Sequence, residues 1–322
     1  MTEPTNKKPL VSIPLAAFNG ASYISQQISS ILCQSVANFE LIIIDDCSTD
    51  GTCEIVKNYL SDPRITLSVN TTNLGYKRNF EKAIKKCKGE FIALADQDDI
   101  WHPDKLAILL DNIASNDLIH SDAELIDGDN NIIDSSFSRY SSKSLDTSPR
   151  NILLNGSVTG CTCMFRADIL KVVLPFPTGD FVHDRWVSLV ASFGGGIIYL
   201  DSPLIQYRQH TCNVSGASSS SWSFLKVKNA IFETSRVEGI MQHYSFASHV
   251  RQSFTERLFP NADLDQAHKF STAIRSGHIR QFLRYSYNLR DVIYVGLPTH
   301  LRILKFFNLF KIVVLKRLNN DS

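Results

Sequence analysis

Along the first hundred residues, apolar and polar positions follow two alternating rhythms. Val11–Ala17 is a short apolar run, and Tyr23–Leu32 then places its apolar residues at helical spacing. The alternation continues with FELIII at 39–44 and a helical Gly51–Leu60, then Ile65–Val69 and a helical Asn79–Lys86, and closes with the strand-like Phe91–Ala95. Strand–helix alternation predicts a parallel α/β sheet. Runs that are apolar at every position suit strands covered on both faces. Further on, Leu118–Ile126 and Asn131–Asp134 read as a hairpin around Gly128-Asp129-Asn130, and Ser135–Arg150 as a polar, Ser-rich surface loop. Val158–Phe165, Gly196–Leu200 and Leu204–Tyr207 read as strands, and Asp104–Ile113 and Asp184–Phe193 as helices. SGASSSS at 215–221 reads as a linker to a mostly helical remainder, with no internal repeat.

Three of the early strands end in polar residues. The first ends in Phe18-Asn19-Gly20, the second in DDCSTDG at 45–51, and the Phe91–Ala95 run in Asp96-Gln97-Asp98-Asp99. Open parallel sheets bind ligands outside the carboxyl ends of their strands, so these strand ends form a candidate site. Three carboxylates within four positions repel one another, and burial penalises each of them, which implies a cation. Asp96 and Asp98 alternate along an extended chain and can face one side, suiting a divalent ion that uses few carboxylates and keeps substrate phosphates as ligands. The competing reading is helix capping by Asp98 or Asp99 ahead of 104–113, with Pro103 near the helix start. Ser48, Thr49 or Asp50 suits an N-cap for the second helix, which leaves Asp45 and Asp46 to be explained. FNGASY is either a turn or an aromatic placed to stack on a base. Asp184 in VHDRW is either an N-cap or a general base, and His210 in YRQH is a metal ligand, an acceptor-side residue or a surface residue.

Bulk numbers change the picture little. The 322 residues carry a formal net charge of +1, with no bias toward a nucleic-acid partner. From Lys269 to Asn320, however, ten Lys and Arg stand against one acid, Asp291. Within that region LRILKFFNLFKIVVL at 301–315 has helical apolar spacing flanked by cations. It reads either as an interfacial helix on an anionic membrane or as a packed terminal helix. Seven scattered cysteines and an N-terminus without a leader-like apolar run point to free thiols in a reducing cytoplasm, with Cys161 and Cys163 as buried thiols. There is no apolar stretch of membrane-spanning length. Neither a phosphate-loop motif nor a dinucleotide glycine motif is present, and there is no nucleophile elbow, which argues against phosphate-loop hydrolysis, hydride transfer and elbow-type hydrolases.

Taken in order, VSIPLAAFNGASYISQQISSILCQS, FELIIIDDCSTDGT, NLGYKRNFEKAIKKCKGEFIALADQDDIWHPDKL, TGCTCMFRADIL, HDRW and YLDSPLIQYRQHTCNVSG resemble the family 2 glycosyltransferases over residues 9–216. DQDDIW with the later HDRW and YRQH looks most like the bacterial branch assigned as rhamnosyltransferases of surface-polysaccharide assembly. The resemblance implies a GT-A nucleotide-diphospho-sugar transferase fold over 1–216, with the nucleotide-sugar part about 9–100 and the acceptor part about 101–216. A helical, basic region would follow at 217–322. It implies a nucleotide-sugar donor, a Mg²⁺ or Mn²⁺ ion, and a saccharide or lipid-linked saccharide acceptor. The enzyme would be cytoplasmic, with peripheral association at the inner face of the plasma membrane. Ala17, Phe18 and Asn19 would line the nucleotide pocket, Asp45 or Asp46 would bind the base, and Lys77 or Arg78 would approach the base or diphosphate. Asp96, Gln97 and Asp98 would form the D-x-D element, with Asp98 the better metal ligand. Asp184 would be the catalytic base. Gly160 and Cys161, with Trp101, Arg185 and Trp186, would face sugar or acceptor, and His210 and Asn213 would close the site near the phosphates. Two positions depart from the pattern: Phe18 stands where Tyr is usual, and Arg185 where an aromatic is usual. The rival readings are a sugar nucleotidyltransferase, which needs a glycine-rich basic loop that FNGASY lacks, and a non-catalytic nucleotide-sugar-binding module.

Overall fold

The computed structural model describes residues 8–141, 144–154, 156–177 and 182–210, with a few positions between 269 and 288. The expected linker, Cys212, Asn213 and the basic segment 301–315 lie outside the described residues. Two compact units divide the chain. Among the described residues, one holds those up to Phe137, Val158–Phe176 and those from Gly194 to His210; the other holds those within Ser138–Ser157, Pro177–Phe193 and a short C-terminal helix.

The first unit is built on a nine-stranded sheet with the order β3-β2-β1-β4-β8-β6-β9-β5, and β7 pairs with β6. Its first half is the parallel sheet that the apolar runs predict: β1 (Val11–Ala17), β2 (Phe39–Asp45), β3 (Ile65–Val69) and β4 (Phe91–Ala93). Helices α1 (Ile24–Leu32), α2 (Thr52–Lys57) and α3 (Tyr76–Ile84) alternate with them. Leu41, Ile43 and Ile44 are fully buried in β2, each contributing roughly 1.5–3 kcal/mol on burial. Pro14 lies inside central β1, where a missing N–H matters. Its carbonyl accepts the Ala95 N–H at 3.1 Å, so its nitrogen faces β4 as well. The β1–β4 ladder is interrupted there, between the Ser12↔Ile92 pair and the Leu15↔Ala95 bridge.

The second half of the sheet is mixed. After β5 (Ile100–Trp101) and α4 (Lys105–Asn112) come β6 (Leu118–Ile126) and β7 (Ile132–Asp134), which form the expected hairpin. Within the predicted Ser-rich loop lie two short helices, α5 (Phe137–Ser141) and α6 (Pro149–Leu154, reaching past its end). The predicted strand 158–165 begins as a 3₁₀ turn, Gly160–Thr162, and becomes β8 (Cys163–Arg166), which runs antiparallel between β4 and β6. Helices α7 (Leu170–Val173) and α8 (His183–Phe193) follow. The two strands expected at 196–207 are one, β9 (Ile197–Arg208), parallel to β6 with a register shift that absorbs Asp201-Ser202. The last described helix is α9 (Ile279–Asn288). In the second unit, α6 packs on α8.

Candidate active site

Strand ends β1, β2 and β4 carry loops that the sequence ties together by hydrogen bonds. Asn19, at a left-handed φ of 48°, donates its N–H to Ser48 Oγ at 2.9 Å and accepts the Thr49 N–H on Oδ1 at 2.9 Å. Gly20 N–H reaches Thr52 Oγ1 at 2.8 Å, and Ala21 N–H reaches Asp50 Oδ2 at 3.0 Å. Asp50 also accepts the Thr52 N–H at 3.1 Å. Burial works to raise the Asp50 carboxyl, but the Thr52 hydroxyl and these N–H groups hold it below the usual range. The helix cap proper is Gly51 in the left-handed region, so Asp50 grips the first turn from outside the cap position. Gln97 joins the third loop to the first: its Oε1 accepts the Phe18 N–H at 2.8 Å and its Nε2 donates to the Phe18 carbonyl at 3.1 Å. Phe18 is 45% exposed, and Ala17 is buried.

The neighbouring acids Asp45 and Asp46 are both buried, at 0% and 2% exposed, and differ in their hydrogen bonds. Asp46 is buried and organises the β3–α3 loop: Oδ1 accepts Asn70 Nδ2 at 2.7 Å and Leu74 N–H at 2.9 Å, and Oδ2 accepts Gly75 N–H at 2.8 Å. Asn79 extends this network, donating to the Ile44 carbonyl at 2.7 Å. Asp45 accepts the Ser48 N–H at 2.8 Å. Burial pushes the Cys53 thiol up to about 11, and the adjacent Asp45 carboxylate adds to the effect. Of the two candidate diphosphate cations, Arg78 is ion-paired to Glu81 at 2.6 Å, and Lys77 Nζ lies 5.9 Å from the Tyr76 ring centroid.

The 96–99 loop has an outer and an inner side. On the outer side Asp98 Oδ2 lies 2.8 Å from His210 Nε2, and the two side chains are 14% and 15% exposed. On the inner side Asp99 is fully buried, and ligand atoms of Asp96, Asp99 and Cys161 lie within 4.8 Å of one another. Burial drives the Asp99 carboxyl well above the usual carboxylate range, reinforced by Asp98 and Asp96. Asp99 does not cap α4, whose N-cap is Asp104; its Oδ1 accepts the Arg208 N–H at 3.1 Å instead. The chain supplies two buried cations beside this acid cluster. Lys105 Nζ donates to the Cys161 carbonyl at 2.5 Å and lies 3.7 Å from the Trp101 ring centroid. Burial pushes its ammonium down to about 8. Arg208 Nε donates to the Asp98 carbonyl at 2.7 Å.

The family model for glycosyl transferase family 2 matches residues 12–174, just over half of the chain. The chain belongs to that family. It is 32% identical over 188 residues to the UDP-Glc:alpha-D-GlcNAc-diphosphoundecaprenol beta-1,3-glucosyltransferase WfgD of Escherichia coli, covering 56% of this chain and 70% of that one. It is 28% identical over 224 residues to the dTDP-rhamnosyl transferase RfbG of Shigella flexneri, covering 64% and 75%. A 42% identical match to the putative teichuronic acid glycosyltransferase TuaG of Bacillus subtilis covers 32% of this chain and 41% of that one. Among solved structures, Staphylococcus aureus TarS 1–349 in complex with UDP-GlcNAc superposes with TM-score 0.56 at 18% identity, covering 96% of this chain and 92% of that one. The Pyrobaculum calidifontis mannosyltransferase with GDP-Man and Mn²⁺ superposes with TM-score 0.54 at 17% identity, covering 98% and 89%. These likenesses establish the GT-A fold and the enzyme class.

The remaining expected site residues of this glycosyltransferase sit as follows. Trp101 is 2% exposed, with the Lys105 ammonium against its ring. Gly160 and Cys161 are buried in the 3₁₀ turn before β8. In the second unit, Asp184 Oδ1 accepts the Arg185 N–H at 2.6 Å, Arg185 Nε donates to the Ile152 carbonyl at 3.0 Å, and Trp186 is buried. Sequence reasoning gave no role to Lys105 or Arg208. Their signal was present as the cations of WHPDKL and YRQH, next to motifs already singled out. Asn79 lies within the quoted NLGYKRNF stretch and Asn70 just before it, and sequence reasoning gave neither an organising role.

Proposed function

We propose that this chain is an inverting, metal-dependent glycosyltransferase. It moves a sugar from a nucleoside-diphosphate donor to a saccharide or lipid-linked saccharide acceptor in bacterial surface-polysaccharide assembly, O-antigen-like polymers included. The single observation that carries this reading is the Asp98–His210 pair, 2.8 Å apart and solvent-accessible at the strand ends of a GT-A sheet. A carboxylate oxygen and an imidazole nitrogen form a donor set suited to Mn²⁺ or Mg²⁺. Asp98 and His210 would hold the ion, with Asp96 alongside; it would supply Lewis-acid stabilisation to the leaving diphosphate.

The other roles fall to the chain's own residues. Phe18 is exposed and suits the base, and Asp45, buried like Asp46 but accepting one backbone N–H where Asp46 accepts three donors, is the base-binding acid. Asn19 and Gln97 fix the shape of the pocket floor. Lys77 and Arg78 approach the diphosphate, Arg78 after exchanging its Glu81 partner. Asp184 takes the proton from the acceptor hydroxyl as that oxygen attacks the anomeric carbon, a general-base role. A single displacement from the opposite face inverts the carbon and needs no covalent intermediate. Gly160, Cys161, Arg185 and Trp186 belong to the acceptor side. The basic segment 301–315 would rest on the anionic inner face of the plasma membrane; flotation with anionic but not neutral liposomes supports that, and absence of flotation with either sinks it.

The test is nucleoside-diphosphate release from dTDP-rhamnose, UDP-glucose, UDP-galactose, UDP-N-acetylglucosamine and GDP-mannose, with Mn²⁺, Mg²⁺ or EDTA. The rhamnose donor leads the panel because of the branch resemblance and the name of the Shigella relative; UDP-glucose follows from that of the E. coli relative. Turnover of one donor that EDTA abolishes supports the reading. Absence of both turnover and metal-dependent nucleotide binding refutes it in favour of a non-catalytic module.

A further inference from the structure

We propose that Arg208 is a positioning residue for the metal-binding carboxylates, acting through the backbone of Asp98 and the carboxylate of Asp99; the inference rests on the metal-dependent reading above. Arg208 is 0% exposed and is among the largest fully buried side chains of the protein. Its guanidinium reaches three separate segments. Nε donates to the Asp98 carbonyl at 2.7 Å; one terminal nitrogen donates to the Asp127 and Gly128 carbonyls at 3.1 and 3.4 Å; the other donates to Gln26 Oε1 at 2.9 Å. Its own N–H donates to Asp99 Oδ1 at 3.1 Å. The 96–99 loop, the β6–β7 turn and α1 are therefore held by one side chain at the end of β9.

Burying a guanidinium carries a large desolvation penalty, and an apolar side chain of similar volume often serves stability as well or better. What an apolar residue cannot do is grip carbonyls in several directions at once. The planar fork of arginine does so, whereas the single ammonium of lysine cannot reproduce it. The same strand end also delivers His210, two residues on, to the Asp98 carboxylate at 2.8 Å. Asp98 is thus fixed at both ends from β9, its carbonyl by Arg208 and its carboxylate by His210. Tyr23 links the two grips: the Arg208 guanidinium carbon lies 4.6 Å from the Tyr23 ring centroid, and the Tyr23 and His210 centroids are 5.0 Å apart. Arg208 is fully buried, so its effect passes through the groups it orients. Residues that orient ligands in this way carry a substantial share of metal affinity.

The experiment compares wild type, Arg208→Lys, Gln26→Ala and Leu41→Ala by two readouts. The first is Mn²⁺ binding in the presence of UDP, followed by loss of the free-ion EPR signal against a UDP blank. The second is amide hydrogen exchange of the ligand-free protein over residues 96–100 and 127–129. Arg208→Lys is expected to bind Mn²⁺ at least tenfold more weakly, the lower end of what losing an orienting partner costs, and to exchange faster in both segments. Gln26→Ala removes one acceptor from an exposed helix position, leaves Arg208 in place, and is expected to weaken Mn²⁺ about threefold; it decides the matter if Arg208→Lys does not fold. Leu41→Ala opens a cavity in β2 away from the cluster and should lose stability without changing Mn²⁺ affinity. Unchanged Mn²⁺ affinity in Arg208→Lys overturns the inference, as does an equal loss in Leu41→Ala. If wild type itself binds no Mn²⁺, the metal reading fails, and the exchange pattern alone then decides whether Arg208 holds the loop.

Discussion

Asp46→Asn should separate the two acids of the DDCSTDG loop. Asp46 is 2% exposed and accepts three donors: Asn70 Nδ2, Leu74 N–H and Gly75 N–H at 2.7, 2.9 and 2.8 Å. An asparagine oxygen can keep the first two as neutral bonds. Its amide nitrogen then faces the Gly75 N–H, donor against donor. Hydrogen bonds to a charged partner are worth about 1.5–3 kcal/mol and neutral ones about 0.5–1.5, so the two weakened bonds lose roughly 1 kcal/mol each. The broken one costs about 1–2 kcal/mol more, because the Gly75 N–H keeps its second acceptor, Asn73 Oδ1 at 3.0 Å. The expected loss is about 3–4 kcal/mol, or roughly 6–16 °C in Tm for a unit of this size. Gly75 sits at a positive φ of 79° at the start of α3, so the loop that carries Leu74 should open together with the bond. The assay is thermal and urea denaturation of Asp46→Asn beside Asp45→Asn, whose amide oxygen keeps the Ser48 N–H as a neutral bond while its contact with the Cys53 thiol changes. Asp45→Asn should cost about 1–2 kcal/mol of stability but weaken nucleotide binding more than Asp46→Asn does per degree of Tm lost. A Tm of Asp46→Asn within about 2 °C of wild type would refute the structural role given to Asp46.

Gly20→Ala should weaken nucleotide binding, because a Cβ there meets the Gln97 amide and breaks its two bonds to Phe18; in a Gln97→Ala background the same change should cost less, which a double-mutant cycle measures. Lys105 holds its proton less tightly folded (about 8) than an unfolded lysine near 10.4 does. The unfolded chain therefore binds more protons between these values, and stability from this group rises with pH across that window. The difference curve between wild type and Lys105→Met, from urea midpoints at pH 7.5 to 10, should show that rise. At pH 8, iodoacetamide should label exposed Cys33 well before Cys53 and Cys87, whose thiols burial pushes up to about 11 and about 12, as peptide mass spectrometry would show.

The parallel half of the fold was legible because β1, β2 and β4 are mostly apolar runs, with the shorter, more polar β3 between two helices of clear spacing. The mixed half was less so. β5 is only two residues, too short for a periodic signal, and β8 reverses direction through a 3₁₀ turn that no local pattern announces. β9 reads as two strands because Asp201, Ser202 and Pro203 break its apolar run, yet its neighbour β6 tolerates the extra residues through a register shift. At the site, the polar strand ends were visible as breaks in apolar runs, and the pairing of Asp98 with His210 joins two of the expected residues. The inward burial of Asp99 was hidden, because one carboxylate among three looks like its neighbours until the chain folds around it. Lys105 and Arg208 were hidden for the related reason that buried cations are rare, and a surface reading is the default for both.

The central claim is metal-dependent glycosyl transfer with Asp98 on the metal and Asp184 on the acceptor proton. The measurement that tests it most directly is transfer, followed by nucleoside-diphosphate release and by the anomeric configuration of the product. It should be run on wild type, Asp98→Ala and Asp184→Asn with Mn²⁺ and with EDTA. The account predicts an inverted product from wild type only with metal, loss of metal-dependent donor binding in Asp98→Ala, and donor binding without transfer in Asp184→Asn. Turnover that survives EDTA, or an Asp184→Asn enzyme as fast as wild type, would contradict it.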